Sequence, residues 1–169
     1  MKLKIRETAV FGVLGAMMFA SKLVMEVLPN VHLLAVFTVA FTVVYRAKAL
    51  YPIYIFTVLL GFYAGFNMWW MPHLYLWTVL WGCTMLIPKK LPGGAALVIY
   101  ALLCSAHGFL YGILYAPAQA LMLGFSFDQA LAWIAAGLPW DIVHGISNLG
   151  LGLLVLPIVT VLRRLERRR

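Results

Sequence analysis

Apolar residues run through this chain in long segments that short polar or glycine- and proline-containing stretches separate. A helix of about 20 residues crosses the hydrocarbon core of a bilayer, and the usual range is about 17–25 residues. The second and fourth segments are shorter, which is tolerated where a helix end borders a cavity. The pattern predicts an all-α integral membrane protein with six transmembrane helices in one domain, residues 1–169. The predicted segments are Thr8–Leu28, Val31–Tyr45, Ala49–Phe66, His73–Ile87, Gly94–Ala116 and Trp140–Leu162.

The stretch Pro117–Pro139, between the fifth and sixth segments, has helix signals of its own. Ser126 and Gln129 have the spacing of a capping box, and Gly137 with Pro139 two residues later is typical of a helix end. The enclosed helix, Phe127–Ala136, has a length of roughly 15 Å at 1.5 Å per residue, too short to cross a bilayer. We expect a short extra helix lying over the outer mouth of the bundle.

Composition and charge support the same class. The chain is 64% hydrophobic and 11% charged, with a mean hydropathy of +0.97, and a soluble domain of this size could not cover so much apolar surface. The net charge of +8 would suggest a nucleic-acid partner in a soluble protein, but here the basic residues flank apolar segments and predict topology instead. The apolar run after the basic start continues to Leu28, so it is interpreted as a first span, not as a secretory signal.

The basic residues also predict orientation. They precede the first segment, separate the second from the third and the fourth from the fifth, and follow the sixth: Lys2, Lys4, Arg6, Arg46, Lys48, Lys89, Lys90, Arg163, Arg164 and Arg167–Arg169. Cytoplasmic loops carry the excess of Lys and Arg in membrane proteins. Both termini and the two basic loops are therefore predicted to be cytoplasmic.

Other polar side chains gather in the outer halves of the segments and in the outer loops. Each such group costs a few kcal/mol inside a bilayer and therefore needs a reason. Their uneven distribution predicts a polar cavity that opens to the outside and binds a small molecule. The group comprises Lys22, Glu26, Asn30, His32, Asn67, His73, His107, Gln119, Asp141, His144 and Asn148.

Two sets of these residues share a helix face. Lys22 and Glu26 are four residues apart, so they either contact a ligand carboxylate or phosphate or form an internal ion pair. Asp141, His144 and Asn148 fall at i, i+3 and i+7, a spacing that favours a ligand contact. Asp141 alone is equally well placed to cap the start of a helix.

Aromatic residues add to the predicted site. His107, Tyr111 and Tyr115 fall at i, i+4 and i+8, and the neighbouring Gly108 and Gly112 favour close approach of another helix. A structural hydrogen bond from His107 is the alternative. The outer loop supplies Trp69 and Trp70, which either stack on a flat ligand ring or belong to an interfacial aromatic belt.

The sequence lacks motifs for the common chemistries. His73, His107, Asp141 and His144 have no metal-ligand spacing, and there is no His-Glu-x-x-His, Gly-x-Ser-x-Gly or Walker motif. We therefore expect no enzyme activity, no cofactor and no bound metal. Two rivals stay open: a self-sufficient small-solute channel or carrier, and, less favoured, a membrane enzyme acting on a lipid or prenyl group.

Small residues repeat at every fourth position of the first segment, at Gly12, Ala16 and Ala20. This small-residue stripe allows another helix to approach closely, within the bundle or from a partner protein.

Together these features resemble the substrate-binding S component of energy-coupling factor (ECF) transporters over essentially the whole chain. The resemblance rests on size, six spans with cytoplasmic ends and the small-residue stripe, which begins with Gly12 where the family has alanine. It also rests on Pro29-Asn-Val-His32, on the aromatic loop Asn67–His73, and on Trp140-Asp-Ile-Val-His-Gly-Ile-Ser-Asn148.

The resemblance implies an uptake subunit in a prokaryotic plasma membrane. Such a subunit captures a vitamin or related micronutrient from outside and docks through the stripe onto a transmembrane coupling protein that carries two cytosolic ATPases. The family's binding regions correspond here to parts of the chain that contain His73, Tyr75, His107, Tyr111, Gln119, Asp141, His144 and Asn148.

Overall fold

The computed structural model describes residues 3–167, and every regular element within them is a helix. The all-α class is therefore confirmed. Lys2, Arg168 and Arg169, three of the basic residues used to predict orientation, lie outside the described residues. The α-helices are α1 (Ile5–Val24), α2 (Leu34–Tyr45), α3 (Leu50–Ala64), α4 (His73–Leu86), α5 (Gly93–Phe109), α6 (Tyr111–Leu123), α7 (Phe127–Gly152) and α8 (Val155–Arg167), and a 3-10 helix (Arg46–Ala49) joins α2 to α3.

The first three helices alternate in direction. The ring of Phe11 in α1 lies 5.2 Å from that of Tyr45, at the end of α2, and 5.8 Å from that of Tyr51, at the start of α3. Near the other end of α1, the ammonium of Lys22 lies 5.7 Å from the ring of Tyr63, near the end of α3. The chain therefore reverses at the 3-10 helix, where Arg46 has a φ of +54°.

The later helices continue the alternation. Trp81 in the second half of α4 donates its indole N–H to the carbonyl of Arg46, so α4 returns to the α2–α3 turn. His107, near the end of α5, lies beside the carbonyl of Leu76, near the start of α4. In α7, Asn148 donates to the carbonyl of Cys104, and α7 runs antiparallel to α5.

The two ends of the bundle carry different polar side chains, and we name them the basic end and the histidine end. The basic end contains the Glu7–Lys48 ion pair and the hydrogen bond from the Tyr45 hydroxyl to Glu166. The histidine end contains the end of α1, the starts of α2 and α4, and all of the chain's histidines: His32, His73, His107 and His144.

Glycine lets α5 and α7 pack more extensively than any other pair of helices. A Cβ added to Gly108 would lie 2.8 Å from the carbonyl oxygen of His144, and one added to Gly145 would lie 2.5 Å from the ring of Phe109. A Cβ on Gly112 would lie 2.3 Å from a carboxylate oxygen of Asp141. The close approach predicted at Gly108 and Gly112 is confirmed.

Helix α2 lies in the middle of the bundle. Every residue from Leu34 to Thr42 is buried, so no side of this part of the helix reaches the surface. It packs against α4 and α8 and also touches α1, α5 and α7. A helix that is apolar all round is expected in such a position.

The prediction for the Pro117–Pro139 stretch is wrong except for its capping box. Ser126 accepts from the amide of Gln129 at 3.3 Å and donates its own amide to the Gln129 side chain at 2.8 Å, as expected. However, α6 runs through Pro117 to Leu123, and α7 continues through both Gly137 and Pro139. No separate short helix at Phe127–Ala136 exists.

The breaks in the last predicted segments also differ. The fifth segment is interrupted at Leu110, between α5 and α6. The sixth is interrupted after Gly152, where α7 and α8 differ in direction by 47°. Both interruptions are invisible to hydropathy because apolar residues continue across them.

The surface is compatible with a multi-pass membrane protein. Among the described residues, Ile5–Val24, Leu34–Ala64 and Gly93–Leu123 are long and apolar enough to cross a membrane, and the bent pair α7–α8 would be a fourth such stretch. Large apolar side chains such as Val13, Leu102 and Ile146 are more than half exposed, an arrangement that suits lipid better than water. The segment Leu34–Ala64 contains the reversal at Arg46–Ala49.

Candidate substrate-binding site

A cavity of about 230 Å³ lies at the histidine end. The loop between α1 and α2 closes one side of it, and the other lining residues come from all of the helices α1–α7 except α5 and from the loop between α3 and α4. Nine of the residues predicted from the sequence line it: Lys22, Glu26, Asn30, His32, Trp69, His73, Tyr111, Tyr115 and His144. The fold thus brings together predicted residues from five separate parts of the chain.

Trp77 forms a wall of this cavity and is only 1% exposed. Its ring centroid lies 5.5 Å from that of His107, 6.0 Å from that of His32 and 6.2 Å from that of Tyr111. Sequence analysis missed Trp77, although it follows His73 by four residues and shares its helix face. Such a cluster of rings offers flat, weakly polar surfaces to a ligand.

His32 and His144 lie side by side, with ring centroids 4.7 Å apart. His32 belongs to the α1–α2 loop, and burial lowers its pKa to about 4. The imidazole of His32 is therefore neutral at pH 7, when it can either donate or accept a hydrogen bond. It supplies no positive charge for an anion.

Tyr111 links the histidines. The hydroxyl of Tyr111 lies 3.4 Å from Nε2 of His73, and Nδ1 of His73 lies 3.3 Å from the carbonyl oxygen of Trp70. A carbonyl only accepts, so Nδ1 carries the proton, and Nε2 accepts from Tyr111. On the other side, the ring of Tyr111 lies 4.9 Å from that of His144.

Lys22, the one Lys or Arg side chain among the described residues that line the cavity, is already paired. The ammonium of Lys22 lies 2.6 Å from a carboxylate oxygen of Glu26, and the hydroxyl of Tyr63 lies 3.4 Å from the other. The hydrogen bond from Lys22 lowers the pKa of Glu26, so the carboxyl group of Glu26 is ionised at neutral pH. The internal ion pair is thus the observed one of the two predicted roles.

A second cavity of about 560 Å³ adjoins the first. The two share Trp69 and Tyr111 among their lining residues. Predicted residues Gln119 and Asp141 line the second cavity, as does Trp133, whose ring stacks on that of Tyr115 at 5.8 Å. The start of α7 therefore lines a cavity, although it is no separate helix.

Asp141 caps a helix other than its own. Its carboxylate oxygens lie 3.0 and 3.2 Å from the amide nitrogen of Gly112, in the first turn of α6. The first amides of a helix lack partners within it, and the start of α6 is buried here. The capping role predicted for Asp141 is correct in kind, but the helix is α6 and not α7.

Replacing Asp141 by alanine should lower the free energy of unfolding by about 1–3 kcal/mol, because the buried amide of Gly112 loses its acceptor. Chemical denaturation in detergent micelles measures this change. Asp128→Ala is the control: Asp128 is exposed in the first turn of α7, and its loss should change stability by less than about 0.5 kcal/mol. Equal losses in the two variants would contradict the capping role.

Five predicted site residues do not line the two cavities. Each instead supports the fold through a main-chain contact. The side-chain oxygen of Asn67 accepts a hydrogen bond from the main-chain N–H of Trp70. The other four side chains contact main-chain carbonyl oxygens: Trp70 that of Thr57, Tyr75 that of Leu114, His107 that of Leu76 and Asn148 that of Cys104. The structural alternative for His107 is therefore the observed one.

Asp141, His144 and Asn148 share the buried face of α7 as predicted, but they have different surroundings. His144 lines the first cavity, Asp141 lines the second, and Asn148 lies between α7 and α5. Their common spacing therefore reflects burial of one helix face, and only part of that face reaches a cavity.

The described residues contain no group of three or more His, Cys, Asp or Glu side chains that could hold a metal ion. No protein-family model, curated protein or solved structure matches this chain.

Proposed function

We propose that the chain is the substrate-binding subunit of an ATP-coupled micronutrient uptake transporter, similar to an ECF S component. It captures a vitamin or cofactor precursor outside the cell and docks onto a transmembrane coupling protein that carries two ATPases. The chain itself catalyses no reaction; its partners bind and hydrolyse ATP. The observation that carries the proposal is the ring-lined cavity at the histidine end, opposite the basic end.

The proposal includes six membrane spans with both termini in the cytoplasm of a prokaryotic cell. Support comes from the alternating helix directions and from the basic residues near the end that contains Glu7 and Glu166. Lys22 is the exception, and its pairing with Glu26 removes its net charge. Cytoplasmic ends carry the positive charge in such proteins.

Short helices are consistent with this topology. Helices α2 and α4 have 12 and 14 residues, so they are roughly 18 and 21 Å long against a hydrocarbon core of about 30 Å. Both begin at the cavity, where Leu34 and His73 line it. A helix end that borders a cavity in the protein does not need to reach the lipid surface.

The small-residue stripe supports the docking step. A Cβ added to Gly12 would meet no atom within 4 Å, and Ala16 and Ala20 are exposed. The glycine of α1 that packs inside the bundle is Gly15, where a Cβ would lie 2.9 Å from the carbonyl oxygen of Pro52. The stripe therefore faces away from the bundle and is open to a helix from a partner.

Co-expression with an ECF coupling protein and its two ATPases tests the function. We expect the tagged chain to retain all three partners in detergent. Proteoliposomes that contain the complex should accumulate the small molecule identified by mass spectrometry of the purified chain, and only with ATP inside. Flux through liposomes that contain the chain alone, without ATP, would instead establish a channel or carrier.

A further inference from the structure

Three nitrogen atoms in the wall of the first cavity are buried and have no hydrogen-bond partner among the described residues. They are Nδ1 of His32, Nε1 of Trp77 and Nε2 of His144. Trp77 is 1% exposed and His144 is 2% exposed, so bulk solvent does not supply hydrogen-bond partners for the nitrogens of these two side chains. Buried polar groups in folded proteins are nearly always paired, and each exception needs an explanation.

The unpaired indole of Trp77 contrasts with two other indoles of the same region of chain. Trp70 donates its N–H to the carbonyl of Thr57 at 2.7 Å, and Trp81 donates to the carbonyl of Arg46 at 3.1 Å. Both of these indole N–H groups therefore have a main-chain acceptor within the protein. The N–H of Trp77 is available to a molecule bound in the cavity. Because an indole N–H can only donate, that molecule must present a hydrogen-bond acceptor.

Among the described residues that line the cavity, no Lys, Arg, Asp or Glu side chain is left without an ionic partner. The ammonium of Lys22 is held by Glu26, and the lowered pKa of His32 keeps its ring neutral. An anion or a cation entering the cavity would lose its hydration without gaining an opposite free charge, which is strongly unfavourable. Uncharged molecules do not meet this penalty.

The volume limits the size of the occupant. An engineered apolar cavity of about 150 Å³ holds benzene, so the cavity of about 230 Å³ accommodates one substituted ring. The rings of Trp77, Phe56 and Tyr111 line it and favour a flat partner.

We propose that this cavity binds an uncharged, planar nitrogen heterocycle of one ring, with an acceptor for the N–H of Trp77 and polar groups for His32 and His144. The inference rests on the proposed function, because it names the class of solute that the subunit captures. In its neutral form an imidazole presents a donor at one ring nitrogen and an acceptor at the other, and the tautomer decides which. The two histidines can thus match a donor and an acceptor on the heterocycle. Larger substituents would extend past Tyr111 into the second cavity.

Matched pairs of ligands test the charge. Binding of nicotinamide and nicotinate, of uracil and orotate, and of pyrazinamide and pyrazinoate is measured by calorimetry with the chain in lipid nanodiscs, and toluene serves as the apolar ring. We expect at least one uncharged heterocycle to bind about tenfold or more tightly than both its carboxylate and toluene. Preference for a carboxylate, equal binding of toluene, or no binding by any uncharged heterocycle would overturn the inference.

An isosteric replacement tests the role of the indole N–H. Exchange of Trp77 for benzothienylalanine keeps the fused rings and puts sulfur in place of the N–H. We expect about a tenfold loss of affinity for the best heterocycle, the ratio that one hydrogen bond to a ligand typically provides. The same exchange at Trp81, whose N–H bonds the Arg46 carbonyl, is the control and should leave affinity unchanged. Equal affinity for the Trp77 exchange and the unmodified chain would overturn the assignment.

Thermal stability of the two exchanged proteins without added heterocycle is a second readout. Exchange at Trp81 should lower the melting temperature because a hydrogen bond is lost, whereas exchange at Trp77 should not. A decrease at Trp77 equal to that at Trp81 would show that the N–H has a partner within the protein. Failure of the proposed function is distinguishable, since it would appear as loss of capture of the coupling protein and ATPases, whichever heterocycle binds.

Discussion

Gly108→Ala should destabilise the folded chain by at least about 3 kcal/mol, the upper part of the range for overpacked cores. The added methyl group would lie 2.8 Å from the carbonyl oxygen of His144 and 2.9 Å from Cα of Gly145. These are main-chain atoms of α7 and cannot move aside as a flexible side chain would. The two helices must separate, which also displaces His144 from the cavity. Chemical denaturation in detergent, followed by tryptophan fluorescence, measures the loss.

Gly150→Ala and Gly82→Ala are the controls for this prediction. Both glycines lie inside helices, and a Cβ at either position meets no atom within 4 Å. Alanine is the better helix former, so we expect these variants to be unchanged or more stable by roughly 0.5–1 kcal/mol. A Gly108 variant as stable as the controls would show that α5 and α7 are not in close contact.

Ala16→Trp should strongly reduce recovery of the chain with the coupling protein and its ATPases. The stripe is flat because its residues are small, and an indole at its centre would hold a partner helix away. Overpacking costs about 1–3 kcal/mol, and each 1.4 kcal/mol is a tenfold change in affinity, so we expect a decrease in affinity for the coupling protein of about five- to a hundredfold. Quantitative pull-down from detergent extracts measures it. Binding of the heterocycles to the isolated variant should be unchanged, since Ala16 does not line the cavity.

Ala106→Trp provides the matched control. Ala106 is also an exposed alanine inside a helix, but it lies on α5 and outside the stripe. We expect this variant to assemble normally. Normal assembly of Ala16→Trp, or equal loss in both variants, would contradict docking through the stripe.

Hydropathy predicted the helical segments well where a polar loop bounds them. The fourth segment, His73–Ile87, matches α4 to one residue because prolines and lysines flank it. It failed for α6 and α7 because Pro117 and Gly137 are typical of helix ends, whereas both helices continue past these residues. A local signal cannot report the neighbours that override it.

The candidate site was predictable only as a region. Polar residues in an apolar chain must be paired, and the sequence shows that they need partners but not which partners they have. His144 and Asn148 lie on one helix face, yet the first lines a cavity and the second bonds the main chain of α5. Trp77 was missed for the converse reason, since a tryptophan in an apolar helix is ordinary and its unpaired N–H appears only in three dimensions.

The central position of α2 has a consequence for how the sequence can vary. On the outer helices, a larger side chain can swing into the acyl chains of the bilayer. The nine residues from Leu34 to Thr42 have no such direction open to them, because protein surrounds them on all sides. Although this helix is among the most apolar parts of the chain, it should accept fewer apolar exchanges than its neighbours, and homologous chains should be most alike there.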